Sequence, residues 1–175
     1  ALPIYFRVLR TNKAARTLFY SCNKNLKTLL DDGFPGAVYP INHRAGEVLG
    51  IRAYPSVREI PGDVDYVISS IPNRDILDLV DACAAKGVKV LHLFTARFSE
   101  TGHADAAELE QQLLRRAQRA GIRLLGPNCM GVYHPANGMS YMRFSKEPGS
   151  VGVLSQSGGN LNELLYVMSM RGVRF

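Results

Sequence analysis

Short runs of β-branched and aromatic residues alternate with stretches of helical periodicity along most of the chain, and this alternation restricts the fold more than any other feature. IYFRVL (4–9), GAVYPI (36–41), DYVISSI (65–71), VKVLHLF (88–94) and IRLL (122–125) read as strands. Between them, 18–32, 74–87 and 107–121 read as helices, the first closed by Gly33 and the last by Gly121. Leu18, Cys22, Leu26, Leu29 and Leu30 share one side of the first helix. Ile76, Val80 and Cys83 form the buried stripe of the second, which Asn73 is placed to cap. The segment 42–63 is loop-rich, with room for a short strand at 51–53 and one turn of helix at 56–59. Strands separated by helices or long crossovers imply an α/β fold with a doubly wound parallel sheet. VKVLHLF is nearly free of polar residues, as a strand covered on both faces should be.

After Leu125 the rhythm breaks into about 25 residues of loop chemistry, 126–150. VGVLS (151–155) then reads as a new strand, followed by QSGG and a helix over 160–172. The expected organisation is one domain over 1–148 and the first strand and helix of a second domain over 149–175, cut short at Phe175. Among the 175 residues, 46% are hydrophobic and 21% charged, which excludes disordered and collagen-like chains. No apolar run reaches the ~20 residues of a membrane span. The opening ALPIYFRVLR is too short and too basic at its end for a secretory signal, so a cytoplasmic location is expected.

The net charge is +6, and residues 1–60 carry nine Lys and Arg against four Asp and Glu. Such an excess suits a phosphorylated ligand, or forms a solvated helix face. Nucleic acid is disfavoured, because the cations are not interleaved with an aromatic surface. Three cysteines without metal-type spacing imply neither a disulfide framework nor a zinc site. His43, His92, His103 and His134 share no ligand spacing, and His92, inside a strand, reads as a hydrogen-bonded core residue.

Open α/β sheets bind ligands outside the carboxyl ends of their strands. The first turn, RTNKAART (10–17), has no glycine, which counts against an ordinary NAD or FAD site. Lys13 and Arg16 there offer charge to a phosphate, and Thr11 and Asn12 offer hydrogen bonds; the same residues also suit a capped, solvated basic turn. In SQSGG (155–159), Ser155, Ser157, Gly158 and Gly159 either converge on an anion at a helix start or form an N-cap with close packing. Cys129, in GPNCMG (126–131), reads as pocket lining more readily than as a nucleophile, since no histidine is fixed beside it by sequence.

Taken in order and spacing, GFPGAVYPIN, AYPSV, DYVISSIPN, LFTARFSETG, AGIRLLGPNCMGV and SVGVLSQSGG resemble the NDP-forming acyl-CoA synthetases, typified by ADP-forming acetyl-CoA synthetase, and the alpha subunit of succinyl-CoA synthetase. The resemblance covers about Gly33 to Phe175. It implies a Rossmann-like CoA-binding domain followed by a flavodoxin-like domain, of which 149–175 are the first strand and helix, in an enzyme that turns acyl-CoA and phosphate into an acyl phosphate and passes the phosphoryl group through a histidine to ADP or GDP. On this resemblance, Arg44 faces a CoA phosphate, Ile71, Pro72, Thr95 and Ala96 flank the CoA chain, and Asn128 and Cys129 lie near its thiol end. Ser155, Ser157, Gly158 and Gly159 hold the phosphate or phosphohistidine.

The departures are also specific. RTN stands at 10–12 where the family has GAS, Phe19 and Cys22 stand near later glycine positions, and Arg97 replaces a common glycine. None of the four histidines matches the phosphorylated one, so no catalytic residue is assigned in this chain and Mg-nucleotide would enter only through other domains. Expected partners are CoA or acyl-CoA and the remaining ligase domains or a beta-type subunit, in an oligomer, with no nucleic acid, membrane or metal. A second reading is a non-catalytic CoA- or nucleotide-sensing module; an NAD(P)-binding regulatory domain is a third.

Overall fold

Apolar runs too short to be stable alone become a sheet only where each finds a neighbour. A computed structural model describes residues 17–20 and 23–175, with side chains from residue 26 onward. In chain order the elements are β1 (Thr17–Tyr20), α1 (Asn23–Asp31), β2 (Val38–Ile41), β3 (Glu47–Val48), β4 (Ile51–Arg52) and β5 (Tyr66–Ser69). Then come α2 (Ile76–Ala85), β6 (Val90–Leu93), α3 (Ala104–Arg119), β7 (Arg123–Leu125) and α4 (Gly158–Met170). The main sheet is parallel throughout, in the order β2-β1-β5-β6-β7. It grows in one direction from β1 and in the other from β5, so the winding reverses between these two strands, where a doubly wound fold opens a crevice. β3 and β4 form a separate antiparallel pair.

The chain divides into two compact units, one containing β1 and Gly36–Cys129, the other Lys24–Pro35 and Met130–Phe175. In the first unit every residue of β5 and β6 is buried. Val67, Leu91 and Leu93 join Ile76, Val80 and Cys83 of α2 and Leu113 and Ala117 of α3 in one core. Burial pushes the Cys83 thiol up to about 12, which leaves it a small apolar filler at neutral pH. In the second unit the long segment after Met130 is packed by its own side chains, which is how such a loop stays compact. The rings of Tyr133 and Tyr141 lie 5.0 and 5.6 Å from that of Phe144. Gly131, at φ +145°, lies under Tyr141, whose ring would be 2.5 Å from an added Cβ. Tyr141 Oη donates to Asn162 Oδ1 of α4 at 2.6 Å, and Lys146 Nζ donates to the Asp31 carbonyl at 2.6 Å.

Three sequence expectations need correction, and a fourth lies outside the described residues. Residues 18–20, read as the start of a helix, belong to strand β1: Thr17-Leu18-Phe19-Tyr20 is rich in β-formers and has partners on both sides, so α1 begins only at Asn23. The strand expected at 4–9 lies outside the described residues. Asn73 does not cap α2; its Nδ2 donates to the Arg97 carbonyl at 2.9 Å, and Asp75 precedes the helix without a side-chain cap bond. VGVLS (151–155) forms no strand. Its backbone link to another segment is Val151 N–H to Arg174 O (3.4 Å), beside Gly149 N–H to Phe175 O (2.8 Å) just before it, too few for a ladder. Helix α4 does start at a capped Ser157, whose Oγ accepts from Asn160 N–H at 3.4 Å.

Candidate functional site at the carboxyl edge of the sheet

Strand-end loops leave a parallel sheet with unpaired backbone groups, so their shape depends on how they bond to one another. Beyond β6, Thr95 Oγ1 donates to the Ile71 carbonyl beyond β5 at 2.6 Å. Beyond β7, the amide of Asn128 donates to Thr95 O at 2.9 Å, and that of Cys129 to Leu93 O at 3.1 Å. Ile71, Thr95 and Asn128 are thus one hydrogen-bonded cluster drawn from the loops after three adjacent strands, with Cys129 tied beside it to Leu93 at the end of β6. Pro72 is exposed and Ala96 half-buried in the same loops. Gly126 lets the last loop fold back: an added Cβ would lie 2.6 Å from Leu93 O, and its φ is +99°. The Gly126–Pro127 bond is cis, and Asn128 sits at φ +52°.

Arg97 occupies the left-handed region at φ +74°, which explains physically why a glycine suits this position. Its backbone is held from both sides. The Arg97 and Phe98 amides donate to the two oxygens of Glu100 at 2.6 and 2.9 Å, and Asn73 Nδ2 donates to the Arg97 carbonyl. Desolvation pushes the Glu100 carboxyl upward, but these amide bonds outweigh it and hold it below the usual range. Neither Asn73 nor Glu100 was legible as a site residue. Their roles depend on a turn geometry that no spacing announces.

Beneath the cluster, His92 Nε2 lies 3.0 Å from the Cys129 carbonyl, and its Nδ1 lies 3.0 Å from Tyr66 Oη. Burial lowers His92 to about 4, although the bond to Cys129 works in the opposite direction. Burial also raises the Tyr66 hydroxyl, with the nearby Cys129 adding to the shift. Both side chains are therefore neutral at pH 7.

Arg44 follows β2 on an Asx-type turn: its amide and that of Ala45 donate to Asn42 Oδ1 at 2.9 and 3.1 Å, and its side chain is exposed. No hydrogen bond or ion pair joins it to the Thr95 cluster. Thr11, Asn12, Lys13 and Arg16, in the expected first turn, lie outside the described residues. Ser155, Ser157, Gly158 and Gly159 belong to the second unit, where Ser157 N–H donates to Ser155 Oγ at 3.1 Å. Among the described residues, no three His, Cys, Asp or Glu are grouped to hold a metal, and no helix is long and apolar enough to cross a membrane.

Comparison with known proteins gives a match to the CoA binding domain family over residues 20–135. An ADP-forming acetate–CoA ligase of Methanocaldococcus jannaschii is 33% identical over 175 residues, covering 99% of this chain and 24% of the relative. The alpha subunit of an ADP-forming acetate–CoA ligase II of Pyrococcus furiosus is 38% identical over 158 residues, covering 89% and 33%. Among solved structures, a dinucleotide-forming acetyl-coenzyme A synthetase of Ca. Korarchaeum cryptofilum, in complex with phosphate and ADP, superposes with a TM-score of 0.83 at 34% identity. That match covers 97% of this chain and 38% of the other. The chain spans between a quarter and two fifths of the length of these relatives.

Proposed function

The chain belongs to the CoA binding domain family, and from that premise we propose that it is the CoA-binding part of an ADP-forming acyl-CoA ligase. Such an enzyme converts acyl-CoA and phosphate into acyl phosphate and free CoA, moves the phosphoryl group to a histidine, and releases it to a nucleoside diphosphate. This chain's share is to bind CoA, in a cytoplasmic setting, and to present its thiol end. The observation that supports this most directly is the joining of three strand-end loops through Thr95, to Ile71 on one side and Asn128 on the other. The cluster makes a rigid wall at the edge where this fold binds ligands.

On this proposal Ile71, Pro72, Thr95 and Ala96 flank the pantetheine arm, Asn128 and Cys129 meet its thiol end, and the exposed guanidinium of Arg44 takes a CoA phosphate. Lys13, Thr11 and Asn12 add charge and hydrogen bonds near the phosphates. Ser155, Ser157, Gly158 and Gly159, at the start of α4, receive inorganic phosphate or the phosphohistidine. Residues 149–175 open the second domain, and the phosphorylated histidine, Mg-nucleotide and remaining ligase domains or beta-type subunit lie outside this chain. One sequence fact favours a second reading, a CoA-sensing module without catalysis: no glycine stands between Arg10 and Asp31 to admit a diphosphate at the first turn.

Calorimetric titration with CoA, ADP and NAD tests the proposal. Micromolar CoA binding, weakened about tenfold by Arg44→Ala, is the expected result, since a charge-assisted phosphate contact contributes on the order of 1.5–3 kcal/mol. A folded chain that takes up NAD but not CoA contradicts it.

A further inference from the structure

A hydroxyl and an imidazole buried in an apolar sheet cost free energy unless every polar atom finds a partner. Tyr66 and His92 are 2% and 1% exposed, on adjacent strands whose other residues are almost all apolar. Two hydrophobic side chains would fill the same space. What an apolar pair lacks is direction, and the pair's one outlet beyond itself is the Cys129 carbonyl. A carbonyl only accepts, so His92 must carry its proton on Nε2 and donate it to Cys129 O. The Nδ1 lone pair then accepts from Tyr66 Oη, and the direction of donation is fixed from Tyr66 through His92 to the loop. Residue 129 is thereby gripped on both backbone groups, its N–H by Leu93 O at 3.1 Å and its C=O by His92 at 3.0 Å. We infer that His92 is a positioning residue for ligand binding, setting the orientation of the 126–129 loop from inside the sheet, with its tautomer fixed by the Cys129 carbonyl and its ring held by the bond from Tyr66 to Nδ1.

The ligand in this inference rests on the CoA reading, but the grip on the loop does not, and the test separates them. Nitrogen-15 NMR of the full chain reads the tautomer, calorimetry reads CoA affinity, and peptide mass spectrometry reads iodoacetamide alkylation of Cys129. The expected tautomer is Nε2-protonated. Tyr66→Phe combined with His92→Leu removes both polar groups together and leaves no orphaned hydroxyl. With an intact thermal transition, that variant should bind CoA about tenfold more weakly, as expected for losing one buried hydrogen bond, and alkylate Cys129 severalfold faster. His92→Gln, which keeps an amide donor toward Cys129, should recover most of both effects, whereas a purely space-filling role predicts no such rescue. An Nδ1-protonated tautomer overturns the inference even where the variant fails to fold, and so does a folded double variant with unchanged affinity and alkylation. Failure of the unmodified chain to bind CoA removes the CoA reading alone. The alkylation rate then decides, a severalfold rise upholding the grip and an unchanged rate overturning it.

Discussion

Arg97 holds a left-handed backbone that costs a non-glycine residue about 1 kcal/mol or more, and it persists because Glu100 and Asn73 bond its backbone on either side. Arg97→Gly should raise stability by about 0.5–1 kcal/mol, read as a higher urea midpoint at unchanged slope. A lower midpoint would show that the arginine side chain contributes more than its backbone costs. Gly126→Ala should do the reverse, costing on the order of 2 kcal/mol, because its methyl meets Leu93 O. His92 makes a prediction in pH. It is neutral in the fold, with its pKa lowered to about 4, while the unfolded imidazole gains a proton near 6.5. Its contribution is therefore complete above pH 6.5 and declines as pH falls toward 4, by on the order of 3 kcal/mol. Urea midpoints measured between pH 7 and 4 should fall less steeply in His92→Leu than in the unmodified protein; equal slopes would contradict a neutral buried imidazole. From sequence, the unusual residue at 97 and the core histidine were both visible. Their partners were not, since the links among 66, 92 and 129 exist only once the register of β5, β6 and β7 is set.

Elements followed the apolar pattern wherever burial and neighbours agreed with it. β5, β6 and α2 lie within the segments their composition marks, and Leu91, fully buried at the centre of β6, should cost about 2–5 kcal/mol when cut to alanine. A loss below 1 kcal/mol in chemical denaturation would mean that the core closes over the gap. The errors came where partners decide the outcome. Residues 18–20 have helix-compatible spacing, yet two parallel neighbours make them part of a strand. Residues 151–155 have strand composition, yet no ladder forms beside them. Local propensity is a weak prior against tertiary pairing, and both segments illustrate it from opposite sides.

At the scale of the molecule, the second unit leaves apolar groups in water: Leu154 is 96% exposed, and Leu164, Tyr166, Val167 and Met170 of α4 are also exposed. Leu165 is buried, on the face of α4 that packs inward. Exposed apolar surface of this kind marks a contact region, so light scattering should give a mass above the 19.3 kDa of one chain, reduced by Leu154→Ser. A single monomeric species would contradict that. The central proposal concerns the first unit: that the loops joined through Thr95, with the turn carrying Arg44, bind CoA together. Hydrogen–deuterium exchange with and without saturating CoA tests this most directly. Protection of 42–45, 70–73, 94–98 and 126–129 together is the predicted result, and CoA binding that leaves these four segments unprotected would contradict it.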